Sequence, residues 1–550
     1  MELSNATADY HPILHLTKSY LWETLEHSVY WRVLFTVVAI LLTTRVFSTL
    51  KYRQSISSKA PNRTPPTLPY WVPFLRHAFS MGWNSNRFVA RCFNKYDDGT
   101  PFFINAAGKK MLFLVDPTHV KRVLNASKEL DPNPFIHDMI TGQLLGSPPD
   151  TVEFYKSDNG NMGHVQVTHL RQHVTGSGLI NLSNKFYERL MDNMGKDLAQ
   201  STSNDWVQIP DLFAFVQKQV TVAITETLFG SDFTEQYGRM LDDQWTWMDH
   251  INEMVMGIPR SVMPAPYNAR DRLLAHLKSW DSKSEALRTQ GMADPVWDEV
   301  AGSALMQGRQ ELYKKTPGFS ADGRVSQVLG LLLAGNSLTV PVTFWYLFEA
   351  LRDPVIHQKV SAEITNHFDP QNQTYNFMQL TARPLLQSLH AETTRFYSGN
   401  ATVRVVTTPT FALDDNYTIT KGTTVFIYSN STSFYTPGWT STRPHLTSKS
   451  LDTFWAERFL VPGQGKREVF SDSNLAGNWT SFGGGEHKCP GRHLARNVGI
   501  ATLAVLIGEY EVELVDSKGS ASVVPTIKDT AFGKTVPIQK VRARIRRKRS

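Results

Sequence analysis

Hydrophobic and polar positions divide the chain before any single residue stands out. Val33 to Thr44 is a run of twelve uncharged, mostly apolar residues, about 18 Å as a helix and too short for a bilayer core of roughly 30 Å. Extending the run to Val29–Phe47 gives nineteen residues and about 28 Å. Arg32 and Arg45 then lie near its ends, where long side chains snorkel to the headgroups, and Tyr30 and Trp31 stand at interfacial depth. This pattern predicts one transmembrane helix within 29–50, retained because no small-residue cleavage site follows it. A buried core helix is the other reading of so short an apolar run. From Arg87 to about Lys315 the spacing is mostly that of amphipathic helices, as in 212–230 and 242–256. Strand-like runs flank that region at 102–115 and 402–428, and no repeat of fixed period occurs. The expected fold class is mainly α with small β-sheets packed at the side, plus the N-terminal transmembrane helix.

Proline sets off the segment after the anchor. Pro61, Pro65, Pro66, Pro69 and Pro73 fix φ and remove donors, so the stretch is a stiff, extended connector. The chain divides into a short N-terminus (1–28), the anchor (29–50), a basic, proline-rich connector (51–75), a body (76–539) and a basic tail (540–550). Lys51, Arg53, Lys59, Arg63 and Arg76 follow the anchor, whereas the first 31 residues hold only Lys18 among lysines and arginines. The positive-inside rule then predicts a lumenal N-terminus and a cytosolic body in a single-pass protein. Asn5-Ala6-Thr7 becomes a usable glycosylation sequon, so a glycoprotein is expected, while Asn430-Ser431-Thr432 faces the cytosol.

Charge changes the picture at one end only. The 550 residues carry a net charge of +7. Lys540, Arg542, Arg544, Arg546, Arg547, Lys548 and Arg549 supply seven positive charges, and 7 − 7 leaves the remainder about neutral. A nucleic-acid-binding body is excluded on that ground. The tail reads either as a solvated, disordered end or as a contact for anionic lipid or a protein partner.

Only two cysteines occur, Cys92 and Cys489, which excludes a disulfide framework and a multi-cysteine zinc site and suits a reducing compartment. Around Cys489 the segment Trp479–Ala495 reads WTSFGGGEHKCPGRHLA. Its three glycines allow a tight turn that brings backbone close to a flat ligand. Pro490 and Gly491 follow the cysteine and a long apolar helix comes next, so Cys489 falls at a helix N-terminus, where free N–H groups favour a thiolate. Such a thiolate is a nucleophile or a metal ligand. Cys92 has no glycines or helix start beside it and reads as structural. No dinucleotide-binding fingerprint is present.

The spacing Phe482, Gly485, His487, Cys489 and Gly491 resembles the haem-binding loop of the cytochrome P450 family. The match extends over roughly Pro65 to the C-terminus. Glu392-Thr393-Thr394-Arg395 resembles that family's E-x-x-R motif, and Trp455-Ala456-Glu457-Arg458-Phe459 its second arginine motif, with Ala456 in place of the usual proline. The resemblance implies a haem b whose iron is held by Cys489. It implies Phe482 packed beside the sulfur, His487 and Arg404 on the propionates, and Glu392, Arg395 and Arg458 in a buried network. It further implies a monooxygenase in the endoplasmic reticulum membrane that binds O2 and an apolar small molecule. Electrons would come from NADPH–cytochrome P450 reductase carrying FAD and FMN. Lys488, Arg492 and Arg496 would form its docking patch, unless they are ordinary helix-surface charges. The pocket would be built from Asn336–Val340, the Ser398–Thr402 turn and the Thr530–Phe532 turn.

The distal helix departs from that family. Ala334 and Gly335 fit its pattern, but Ser337 stands where an acid is usual and Leu338 where threonine is usual. Leucine cannot relay a proton. Asn336, Ser337 or Thr339, with water, would take over that role, or these groups merely line the pocket. The following TVPVTFW resembles the sterol 7-alpha-hydroxylase and prostacyclin synthase branch, and the chain as a whole is similar to fungal secondary-metabolite enzymes. Two other functions stay open: a haem-thiolate isomerase or dehydratase acting without O2, and a non-enzymatic haem sensor.

Overall fold

The computed structural model describes residues 13–548 apart from 96–97, 159, 199–204, 370, 372–373, 516–524, 526 and 530–532. Helix α1 (Ile13–Ser57) is continuous, so helix begins within the short N-terminal segment 1–28 and runs past position 50 into the connector. Among the described residues, two helical stretches are long and apolar enough to cross a membrane, Val29–Ser57 and Ala321–Arg352. Burial separates them: 6% of the apolar window is buried in the first and 56% in the second, so Val29–Ser57 is the candidate span and Ala321–Arg352 belongs to the core. Arg45 Nη1 donates to Pro69 O at 2.6 Å and Ser48 Oγ to Tyr70 O at 3.0 Å, which fastens the end of α1 to the connector.

The body is mostly helical with small sheets set at its flank. Helix α2 (Ala78–Lys95) leads to the hairpin β1 (Phe102–Ala106) and β2 (Lys109–Leu114). Helix α3 (Pro117–Asn125) starts where its sequence dictates: Asp116 Oδ1 accepts from Thr118 N at 2.8 Å, and Pro117 occupies the first turn. Strand β3 (Leu130–Asp131) follows, and then helix α4 (Gly176–Asp197). Strand β4 (Val207–Ile209) precedes helix α5 (Leu212–Phe229), capped by Asp211. Helices α6 (Ala321–Asn336), α7 (Thr339–Arg352) and α8 (Pro384–Tyr397) form the middle of the molecule. Beyond them lie β5 (Ser398–Gly399), β6 (Ala401–Val406), β7 (Thr424–Tyr428), helix α9 (Arg492–Leu503), and the strands β8 (Tyr510–Leu514), β9 (Gly533–Pro537) and β10 (Ala543–Arg547).

The five-stranded sheet has the order β1-β2-β7-β6-β3, with β7 parallel to β2 and the other pairs antiparallel. Burial alternates along β6, and Arg404 falls on a buried position opposite Val425. The main core gathers where α5, α7 and α9 meet, around Phe344, Trp345, Leu347 and Leu503, all fully buried. Burying side chains of that size gives about 1.5–3 kcal/mol each, and on this scale the helical core dominates the fold's stability.

The C-terminal basic run is part of the fold over Ala543–Arg547 rather than a solvated tail. It forms β10, paired with β8 on one side and β4 on the other. Ala543 and Ile545 face inward, while Arg544 and Arg546 meet Glu513 and Glu511, each at 2.5 Å, and flank the Trp206 ring. The alternation of small or apolar residues with arginine is a strand pattern, and two of the acids on β8 balance its charge.

Candidate active site

Cys489 ends a loop whose shape depends on glycine. Gly485 has φ +62°, and a Cβ there would stand 1.9 Å from the carbonyl oxygen of Leu124 in α3, so no side chain is tolerated. Cys489 N donates to Phe482 O at 2.9 Å, closing the loop. Ser481 Oγ donates to Thr394 O at 3.0 Å, which ties the loop to α8. Gly491 caps α9, and the backbone N–H groups of Gly491 and Arg492 point at the sulfur. Burial pushes the Cys489 thiol up, and these N–H groups and the Arg492 charge oppose that shift. The sulfur is accessible, but to an internal cavity that it helps to line. Cys92 is buried in α2, and its thiol is pushed up to about 11 by desolvation, which suits an inert side chain.

The cavity measures about 570 Å³ and is walled mainly by apolar side chains, among them Phe135, Ile140, Leu228, Leu305 and Val342. Cys489, Phe482, His487, Gly491 and Arg404 all border it. Arg404 donates to Val403 O at 2.8 Å, and its side chain also lines the cavity. Burial holds Arg404 down to about 10, against the attraction of Asp131. His487 is likewise pushed down, first by burial and then by Arg404. Gly485 lies in the loop rather than on the cavity wall.

These residues fit a haem. Among the described residues no three His, Cys, Asp or Glu side chains cluster to hold a metal ion. A metal on Cys489 would therefore need its remaining donors from a prosthetic group. Arg404 and His487 are donors suited to that group's carboxylates. The apolar walls suit a flat macrocycle.

Behind the loop lies a buried ionic network. Arg395 Nε and Nη2 donate to Glu392 Oε2 and Oε1 at 2.7 and 2.9 Å, and Arg458 Nε reaches Glu392 Oε1 at 3.0 Å. All three side chains are fully buried. Trp455 N also donates to Glu392, and Arg458 is held by the carbonyls of Leu446, Lys449, Ser450 and Thr453. Every donor thus has a partner, the condition under which buried charge is tolerated. Two further groups have no counterpart in the sequence motifs. Glu349 accepts from Tyr397 Oη at 2.5 Å and Arg352 Nε at 2.6 Å, and burial pushes its carboxyl up. His390 lines the cavity and stacks on Phe482. The signal for Glu349 was an acid inside an otherwise apolar helix, VPVTFWYLFEALR.

The distal segment is broken rather than continuous. α6 ends at Asn336 and α7 starts at Thr339, with Ser337 and Leu338 in a turn between them. Pro341 has no N–H to give the carbonyl of Ser337, four residues back, and its ring crowds that carbonyl, so the helix parts there. The break sends the predicted polar residues in different directions. Ser337 and Thr339 line the cavity together with Leu338. Asn336 does not: it is fully buried and its amide donates to Leu332 O at 3.0 Å. Ser398 and Asn400 to Thr402 line the cavity as expected, and the Thr530–Phe532 turn lies outside the described residues. Lys488 is exposed, and Arg492 and Arg496 are both half-buried, with the Nε of Arg496 enclosed.

Comparison with known proteins agrees with this geometry. The family model described as Cytochrome P450 matches residues 65–526. The cytochrome P450 monooxygenase fsoE of Humicola fuscoatra is 28% identical over 514 residues, covering 88% of either chain. Cholesterol 7-alpha-monooxygenase of Cricetulus griseus is 24% identical over 85% of this chain and 92% of its own. Among solved structures, the haem domain of cytochrome P450DA superposes with a TM-score of 0.66 at 16% identity, covering 89% of this chain and 99% of that one.

Proposed function

The chain belongs to the cytochrome P450 family of monooxygenases, and from that premise we propose a membrane-anchored haem-thiolate enzyme that oxidises an apolar small molecule of fungal secondary metabolism. The substrate is terpenoid, polyketide, alkaloid or sterol-like, and the haem is haem b. Electrons reach it from NADPH through an FAD/FMN reductase, and the body sits on the cytosolic face of the endoplasmic reticulum. The observation that carries this reading is one thiol and one buried guanidinium opening on a single apolar cavity. The kinship to a monooxygenase of Humicola fuscoatra supports the fungal setting, and the apolar helix Val29–Ser57 supports the anchor.

A haem held by Cys489 would supply the activation of O2. The protein supplies the rest. Gly491 N and Arg492 N stabilise the sulfur as an anion. Arg404 and His487 would hold the carboxylates of that group. Leu338, Val342 and Ala334 keep water from the face where substrate lies. Ser337 and Thr339 carry protons inward, assisted by the Ser337 carbonyl that Pro341 leaves without an amide partner.

The reduced carbon monoxide spectrum tests the ligand: a Soret band lacking the thiolate red shift, or one unchanged in Cys489→Ser, sinks the assignment. Product analysis under labelled O2 with NADPH and reductase tests the reaction. Leu338 at the helix break favours a second reading, an isomerase or dehydratase that turns over a peroxide without NADPH. Label in the product decides for monooxygenation.

A further inference from the structure

The main cavity has a side chamber of about 180 Å³, and Ile140, Ser337, Leu338, Asn400 and Ala401 border both spaces. Its other walls are Leu144, Met248, Ile251 and Leu333, with the one amide of Asn252. Against that background stand Lys534 and Asp249, which face the same chamber. The Lys534 side chain is 8% exposed, and its ammonium donates to Asp249 Oδ1 and to Met248 O. It also lies 5.3 Å from the Trp245 ring.

The backbone holds this cation in place. Gly533 has φ +88°, and a Cβ there would come within 2.3 Å of Asn400 N, so β9 presses on the cavity-lining turn at a point only glycine allows. Trp345 Nε1 donates to Thr535 O at 2.7 Å and pins the following residue. Lys534, between these fixed points, is directed to the chamber.

We infer that Lys534 and Asp249 receive a hydroxyl group borne by the apolar substrate at the end remote from the carbon that is oxidised. This rests on the proposed function, in which the main cavity is the substrate site. A hydroxyl accepts from the ammonium and donates to the carboxylate, so one neutral group satisfies both charges. A hydrocarbon end would cover the buried Lys534 ammonium and return no hydrogen bond to it, while Asp249, 53% exposed, keeps its contact with solvent. A carboxylate end could accept from Lys534 but has no proton to donate to Asp249, whose like charge it would meet. The chamber thus selects an alcohol over both.

The test measures binding to the ferric holoenzyme of three matched probes, n-decane, 1-decanol and decanoate, by calorimetry and by the Soret shift. The wild type is expected to bind 1-decanol about tenfold or more tighter than either of the others, with the Soret blue shift of an iron left free of the alcohol oxygen. Lys534→Met keeps the length and apolar stem and removes the cation, and Asp249→Asn alters a half-exposed site. Each is expected to reduce the alcohol preference to about threefold or less. Equal binding of decanol and decane by the wild type overturns the inference. So does a preference that survives in both variants, or a red shift that puts the alcohol on the iron. The reduced carbon monoxide band of each protein is recorded in parallel. Its absence from the wild type defeats the haem-thiolate reading, whereas a normal band with no alcohol preference defeats this inference alone.

Discussion

His390 is fully buried in α8 between the cavity and Tyr346, and burial, reinforced by Arg496, pushes its imidazole down to about 3. An unfolded histidine titrates near 6.5, so from there down to about 3 the unfolded chain binds a proton that the folded protein refuses. Stability is complete above about pH 6.5 and falls with acidification, by up to about 1.4 kcal/mol per pH unit from this residue. His390→Leu is expected to flatten that slope between about pH 6 and pH 4 in urea titrations; an unchanged slope refutes the assignment. Arg404 bears on the cofactor instead. Arg404→Leu deletes the charged donor facing the cavity, and haem transfer to an apoglobin scavenger is expected to quicken by about tenfold or more. The sequence pattern placed Arg404 and the haem loop on motif spacing alone, because tight turns and strand alternation leave few orientations open. It misdirected Asn336, because the face that a residue takes beside a helix break depends on the break's geometry, which spacing does not encode. Lys534 drew no notice because a lysine in FGKTVP looks like any exposed strand residue until β9 is seen packed against Asn400.

Among elements, the junction of α6 and α7 departs most from a regular helix. Pro341 removes one amide donor and forces Ser337 and Leu338 into a turn that opens on both chambers. Pro341→Ala restores that donor, and the two helices are expected to merge. Unfolding free energy should rise by on the order of 1 kcal/mol or more, while the fraction of NADPH electrons appearing in product falls as Ser337 leaves the cavity wall. Stabilisation without loss of coupling would separate the break from proton delivery. The bridge between α8 and the Arg458 loop works differently, since it carries two cations on one carboxylate. Glu392→Gln keeps the shape and strands both guanidinium groups, an expected loss of about 3–5 kcal/mol read from the denaturation midpoint. The E-x-x-R pair was visible in sequence as an i,i+3 spacing, but its burial was not, because surface helices carry the same pair. The basic end misled for a related reason: seven charges in eleven residues suggest solvent, and only the partners Glu511 and Glu513 on β8 reveal a strand.

For the whole molecule, the anchor and the body are coupled at one short stretch. Arg45 and Ser48 of α1 are bonded to Pro69 and Tyr70, and Arg45 also lies over the Trp71 ring. The prolines between them limit bending, so the helix leaves the body in a set direction. Just past this joint, Trp71, Phe74, Phe79 and Trp83 are 51, 90, 66 and 93% exposed. Phe74 is turned outward on a backbone with φ +59°, a conformation rare for a side-chain-bearing residue. Large exposed aromatics beside an apolar helix suit the interfacial zone of a bilayer better than water. Removing residues 1–57 is therefore expected to leave the carbon monoxide spectrum intact, since none of the described residues among them borders the cavity. It should convert the protein from one released only by detergent to one that still sediments with phosphatidylcholine vesicles. Adding Trp71→Ser, Phe74→Ser, Phe79→Ser and Trp83→Ser should then free it into the supernatant. Full solubility of the truncated chain before those four changes would mean that α1 alone holds the protein to the membrane, and that the aromatic cluster does not set the body's orientation on it.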